Sequence, residues 1–176
     1  MLLNSLLLMK IFLVGMMGSG KSYWKSRISK KYGLRGYDLD FLIEAHEEQT
    51  ISEIFETEGE AVFRQKEASM LRWLQQSKNF VLATGGGTPC FLDNIQWMKQ
   101  QGITIWIDEP VKVLAERLRL EKEHRPLISG LSDEALVEYL ENKLKERVPF
   151  YCLAGHRLTG SQISDAGFKQ ILSSYA

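Results

Sequence analysis

Gly15-Met16-Met17-Gly18-Ser19-Gly20-Lys21-Ser22 fits G-x-x-x-x-G-K-[ST] without a gap. The pattern suits phosphate chemistry. Its glycines let the backbone curl until several N–H groups converge on phosphate oxygens. A helix expected to follow adds the positive end of its dipole. Lys21 would reach the β- and γ-phosphates, and the Ser22 hydroxyl would sit on Mg²⁺. The competing reading, a chance glycine-rich turn, is disfavoured by the strand expected before it and the helix after it. The motif implies a nucleoside triphosphate site and leaves the second substrate open. Tyr23 comes next, where a small hydroxyl residue could also touch phosphate. Tyr23 and Trp24 are expected to pack on the first helix.

Five further groups bear on an acceptor. Asp38 and Asp40 stand at i and i+2, so they point the same way if the segment is extended. At the carboxyl end of a second parallel strand they would face the phosphate loop, one holding Mg²⁺ through water and one orienting a hydroxyl. An exposed turn with a helix N-cap reads them equally well. Arg64 and Glu67 are i, i+3 neighbours on a predicted helix. They form either a surface ion pair or an anion grip that Glu67 steadies. Thr84-Gly85-Gly86-Gly87 follows a buried run, which allows a ligand to approach the backbone closely. Arg125 lies in a polar segment near Arg117, Arg119 and Lys122. That segment is either a solvated charge run or a cationic lid over phosphates. Arg147 ends a predicted helix, where a cation also complements the dipole. Cys90, just past the glycines, is expected to be an inert thiol.

These residues need a frame. With 176 residues, 44% hydrophobic and 25% charged, the chain suits one domain over 1–176 with a real core. Lys+Arg and Asp+Glu both number 22, which argues against nucleic-acid and membrane-surface partners. Two distant cysteines give neither a disulfide framework nor a zinc knuckle, and favour a reducing, cytoplasmic compartment. The leucine-rich start lacks the basic n-region of a secretory signal and is too interrupted for a membrane span. Met9 is an alternative start, with 1–8 an extension. Short apolar runs at 10–14, 80–83 and 103–107 predict strands buried on both faces. Helical spacing predicts helices over 23–32, 51–55, 60–76, 91–101, 111–120 and 133–147. Ser132 or Asp133 would cap the last of these. The alternation argues for a doubly wound α/β domain. Residues 120–131, with Pro126 and Gly130, read as a mobile excursion.

Taken in order, GMMGSGKS at 15–22, DLD at 38–40, IFETEGEAVFRQKE at 54–67, ATGGG at 83–87, RPLI at 125–128 and ERVPFY at 146–151 resemble the shikimate kinase family. The matched stretch spans roughly residues 10–151. The resemblance implies a three-layer P-loop kinase fold like that of nucleoside monophosphate kinases. Its central five-stranded parallel sheet is flanked by helices and carries a mobile lid. It implies Mg²⁺-dependent transfer of the ATP γ-phosphoryl to the 3-hydroxyl of shikimate, giving shikimate 3-phosphate and ADP. That step belongs to chorismate and aromatic amino acid biosynthesis. The partners would then be ATP and shikimate, and the enzyme a cytoplasmic monomer.

Residue by residue, Asp40 resembles the aspartate that binds ring hydroxyls and takes a proton. Asp38 is similar to the one linked to Mg²⁺ through water, beside Ser22. Arg64 and Arg147 resemble the clamp on the shikimate carboxylate, and Gly86 and Gly87 the backbone contacts to it. Phe55 and Phe63 resemble the apolar walls of that pocket. Gly18, Ser19, Gly20, Lys21, Ser22 and Tyr23 fall at ATP-contacting positions. Arg125 is similar to the lid arginine, which with Lys21 and Asp40 would carry catalysis. Arg117 resembles the residue that stacks on adenine, with Arg119 as the alternative register. Tyr23 departs from the family's small hydroxyl. The tail after Tyr151 carries no clear match, although 156–159 suits a last strand and 160–164 an adenine loop. Two rivals remain: a kinase of the same fold acting on gluconate or a nucleotide, and a non-catalytic ATP-binding module.

Overall fold

The computed structural model describes residues 9–120 and 128–175. In chain order the elements are β1 Lys10–Val14, α1 Lys21–Tyr32, β2 Arg35–Asp38, α2 Leu39–Glu47, α3 Ile51–Thr57 and α4 Gly59–Trp73. There follow β3 Phe80–Ala83, α5 Asn94–Gln101, β4 Ile103–Asp108, α6 Val111–Arg119, α7 Asp133–Tyr151, β5 His156–Thr159 and α8 Asp165–Leu172. The strands form one sheet in the order β2-β3-β1-β4-β5, all parallel. β1, β3 and β4 are the three apolar runs, buried on both faces as a covered parallel sheet requires.

Side chains alternate across β1. Phe12 and Val14 join a core with residues of α2, α3, α4, α5, α6 and α7. Ile11 and Leu13 face the other way, onto Ile28 of α1 and Phe168 and Leu172 of α8. Three layers result. Because β1 is central and the chain leaves it in both directions, the carboxyl ends of β1, β2, β3 and β4 open onto one crevice. Local signals fix helix starts. Thr50 and Glu53 form a capping box on α3, and the Ser132 hydroxyl accepts the Ala135 N–H at 3.1 Å on α7.

The structure corrects several expectations. Asp38 and Asp40 do not share an extended segment: β2 stops at Asp38, and Asp40 sits in the first turn of α2. The 60–76 helix ends at Trp73 and tightens into a 3₁₀ turn. Residues 91–93 are not helical, because Leu92 and Asp93 take left-handed φ of 49° and 53° before α5 starts. α7 runs on from Arg147 to Tyr151 through Pro149. Trp24 packs on Phe168, ring centroids 4.6 Å apart, and Tyr23 stands edge-on to Trp24 at 5.3 Å while staying 60% exposed. The extension at 1–8 and lid residues 121–127, Arg125 included, lie outside the described residues. No described helix is long and apolar enough to cross a membrane.

Candidate active site

The phosphate motif forms the turn from β1 into α1. Gly15 adopts φ 142°, and a Cβ there would stand 2.5 Å from the Ile107 carbonyl oxygen. Only glycine fits that approach. Gly20 takes φ 90° as the N-cap of α1, leaving the first helical N–H groups without side-chain partners at the cap. The Lys21 ammonium donates to the carbonyls of Gly15 at 2.9 Å and Met16 at 2.8 Å. The Ser22 hydroxyl donates to Asp38 Oδ2 at 2.7 Å, and Lys25 Nζ lies 3.6 Å from the same oxygen. Ser19 is buried, and its hydroxyl has no hydrogen-bond partner among the described residues.

A cavity of about 670 Å³ opens over this loop, lined among others by Lys21, Asp38, Asp40, Gly85, Gly86 and Arg117. Arg117 reaches back to the loop, donating to the Gly18 carbonyl at 3.0 Å and to Glu109 Oε1 at 2.7 Å. Arg119 turns away and pairs with Asp133 at 3.0 Å. Tyr23, Trp24, Leu120 and Ile163 give the same cavity an apolar end.

The acceptor groups gather on the three glycines after β3. Each glycine is a landing for a charged side chain that a Cβ would displace. At Gly85 the Cβ position lies 2.9 Å from Glu67 Oε1 and 3.1 Å from Asp40 Oδ1. At Gly86 it lies 2.8 Å from Arg147 Nη1. At Gly87 it lies 2.7–2.9 Å from three atoms of the Arg64 guanidinium. One short loop thereby assembles a carboxylate and two guanidinium groups from α2, α4 and α7. Two buried groups brace it. Glu67 accepts from Thr88 Oγ1 at 2.5 Å and from Arg64 Nη1 at 2.6 Å. The Tyr151 hydroxyl donates to the Gly86 carbonyl at 2.6 Å. Phe55 and Phe63 stack beside Arg64, ring centroids 4.7 Å apart.

Electrostatics divide the groups by role. Burial first, then the charges of Glu67 and Asp38, push the Asp40 carboxyl up to about 6, against the pull of Lys21. A carboxylate near 6 is a usable base at neutral pH. Burial also pushes the Cys90 thiol up to about 11, which leaves it protonated and unreactive. Burial raises the Tyr151 hydroxyl further, so it stays a hydrogen-bond donor.

Of the residues singled out in the sequence, Gly18, Gly20, Lys21, Ser22, Tyr23, Asp38, Asp40, Gly86 and Arg117 line the one cavity. Arg64, Gly87 and Arg147 sit across the glycine loop from it, with Phe55 and Phe63 behind Arg64. Sequence reasoning missed Thr88, Glu109 and the brace made by Tyr151. Tyr151 stood in a quoted motif, but its partner Gly86 is 65 residues away.

Known proteins point the same way. The sequence model of the shikimate kinase family matches residues 17–176. A shikimate kinase of Bacteroides fragilis is 36% identical over 158 residues, 90% of this chain and 88% of that protein. One from Aquifex aeolicus is 36% identical over 166 residues, 94% and 95% of the two chains. The crystal structure of shikimate kinase from Bacteroides thetaiotaomicron superposes with a TM-score of 0.88 at 33% identity, covering 94% of this chain and 98% of that one. Shikimate kinase from Acinetobacter baumannii in complex with shikimate gives 0.85 at 34%, covering 95% and 94%. With a phosphate loop, a braced triple glycine and a match over nearly its whole length, the chain belongs to the shikimate kinase family.

Proposed function

We propose that the chain is an ATP-dependent shikimate kinase that uses Mg²⁺ and phosphorylates the 3-hydroxyl. One observation carries the reading: Asp40, Arg64 and Arg147 meet successive glycines of one loop, beside Lys21 of the phosphate loop. Shikimate has one carboxylate and three hydroxyls. Two convergent guanidinium groups suit the carboxylate, and one carboxylate suits a hydroxyl. A nucleotide acceptor would need a base pocket on this side, where charged groups stand instead.

Gly18, Ser19, Gly20, Lys21 and Ser22 take the phosphates, Tyr23 lies beside the nucleotide, and Arg117 covers the nucleotide end. Arg64 and Arg147 clamp the acceptor carboxylate against Gly86 and Gly87, with Phe55 and Phe63 as the apolar wall. Asp40 takes the proton of the 3-hydroxyl as its oxygen bonds to the γ-phosphorus. The bond from that phosphorus to the bridging oxygen breaks, and ADP leaves with the electron pair. Lys21 meets the charge that develops on the phosphoryl oxygens. Arg125 is assigned to the same task on its sequence alone.

The metal follows from donor chemistry. Ser22 Oγ and Asp38 Oδ2 are hard oxygens 2.7 Å apart at the mouth of the phosphate loop. Among the described residues no three acidic, histidine or cysteine side chains form a cage. Ser22, with Asp38 through water, would hold a Mg²⁺ ion, which would neutralise charge on the phosphates. The reading takes the enzyme as a monomer acting as a single domain over 1–176. Free Cys90 and Cys152 support a reducing, cytoplasmic compartment.

The test is ADP release from Mg-ATP with shikimate, with gluconate and with neither. Strong stimulation by shikimate alone is expected. Equal stimulation by gluconate, or ATP binding without turnover of either acid, overturns the reading.

A further inference from the structure

Arg64 is held more firmly than an acceptor ligand on a helix surface needs to be. A guanidinium has five N–H donors. Nε and one N–H of Nη2 go to Glu60 Oε1, at 3.2 and 2.9 Å. One N–H of Nη1 goes to Glu67 Oε2 at 2.6 Å. One N–H remains on each terminal nitrogen, two donors left for an acceptor carboxylate. The plane of the group lies on Gly87. Two aromatic rings complete the enclosure, Phe63 with its centroid 5.0 Å from the guanidinium carbon and Phe91 closer, at 4.4 Å.

Phe91 reaches that place through an unusual piece of backbone. Leu92 and Asp93 are consecutive non-glycine residues in the left-handed region. That conformation is disfavoured for leucine and persists only when the surroundings impose it. Leu92 gains little in exchange, since its side chain is 54% exposed. The turn is braced from outside instead. Arg72 donates to Asn94 Oδ1 at 2.9 Å and to the Leu92 carbonyl at 3.3 Å. The fully buried Asn94 donates through Nδ2 to the Thr88 carbonyl at 2.9 Å, and through its backbone N–H to the Phe91 carbonyl at 3.0 Å. What this bracing delivers is a 38% exposed ring laid against Arg64.

We propose that Phe91 is a positioning residue for the acceptor: its ring holds the Arg64 guanidinium by a cation–π contact and keeps the two remaining N–H donors aimed at the acceptor carboxylate. The inference rests on Arg64 being the carboxylate ligand. Phe91 acts through Arg64 and leaves the phosphoryl transfer itself alone. Its removal is therefore read in acceptor binding and not in the nucleotide or the chemical step.

The experiment uses the full chain with Phe91→Leu, which keeps apolar bulk but loses the π-face, and Phe91→Tyr, which keeps the face. Phe91→Leu is expected to raise the KM for shikimate about 3- to 10-fold. The KM for ATP, kcat and Tm should stay within experimental reach of wild type, and Phe91→Tyr should stay within about twofold on the same scale. A wild-type shikimate KM in Phe91→Leu overturns the proposal. So does a loss shared by Phe91→Tyr, or one spread over kcat and the ATP KM. A second measurement needs no substrate: phenylglyoxal modification of Arg64, followed by peptide mass. Phe91→Ala should make Arg64 react faster, and an unchanged rate overturns the proposal. If wild type fails to phosphorylate shikimate while Arg64 still reacts faster in Phe91→Ala, the substrate assignment fails and the hold of Phe91 on Arg64 stands.

Discussion

Replacing Glu67 by Gln should move the acidic limb of the pH–rate profile to lower pH. Asp40 is raised to about 6, with burial the largest cause and Glu67 the next. A raised carboxyl is protonated below its own pKa, so a reaction needing Asp40 as base fades as pH falls through about 6. Glu67→Gln removes the neighbouring charge yet keeps an oxygen for the Thr88 hydroxyl. The size of the shift can be bounded. Glu67 Oε1 and Asp40 Oδ1 lie 2.9 and 3.1 Å from one point over Gly85, so they stand within about 6 Å of each other. Two charges at that distance in a water-like medium interact by roughly 0.7 kcal/mol, about half a pH unit. The net rise is from 3.8 to about 6, and burial contributes more to it than Glu67 does. The limb should therefore fall by at least about 0.5 pH unit. The assay is kcat/KM for shikimate at saturating Mg-ATP, wild type against Glu67→Gln, across the limb. Loosening Arg64 lowers the height of the curve without moving the limb, so the two effects separate. A limb that stays in place or moves up refutes either Asp40 as the base or the coupling to Glu67.

Three further outcomes are expected. Lys21→Ala should abolish turnover while circular dichroism stays native, since the Lys21 ammonium is bonded to the Gly15 and Met16 carbonyls of the phosphate loop itself. Arg147→Ala should raise the shikimate KM by about 10- to 100-fold, the loss of one charged hydrogen bond. The ATP KM should stay unchanged, and steady-state kinetics in both substrates reads the difference. Gly87→Ala should do the same without lowering Tm by more than a few degrees. Its Cβ would fall 2.7–2.9 Å from the Arg64 guanidinium and displace the head of that side chain, with no backbone atom in the way.

Chemistry carried by adjacent residues is the most legible in such a chain. The phosphate loop is eight residues long, and its conformation, donors and charge all reside in that stretch. β1, β3 and β4 are equally legible, because a strand covered on both faces must be apolar throughout. β2 is the contrasting case. As an edge strand reading Arg35-Gly36-Tyr37-Asp38 it has no apolar run, so its end could not be placed from the sequence. The step from Asp38 into helix α2 was hidden with it. This step sends Asp38 to Ser22 and Asp40 to Gly85, two different tasks for carboxylates that spacing alone would put on one face.

The candidate acceptor site was legible as residue types and illegible as an assembly. Arg64, Gly86 and Arg147 were each visible, but the contacts that give them direction span 65 residues from Tyr151 to Gly86 and 21 from Thr88 to Glu67. No local rule reports such pairs. Phe91 shows the same limit from the other side. Its apolar neighbours and spacing favour a helix, and tertiary bonds from Arg72 and Asn94 override that preference. The overridden stretch and the buried braces sit together around Arg64. Local propensity therefore fails here because the fold must hold a charged group still, which sequence periodicity does not encode.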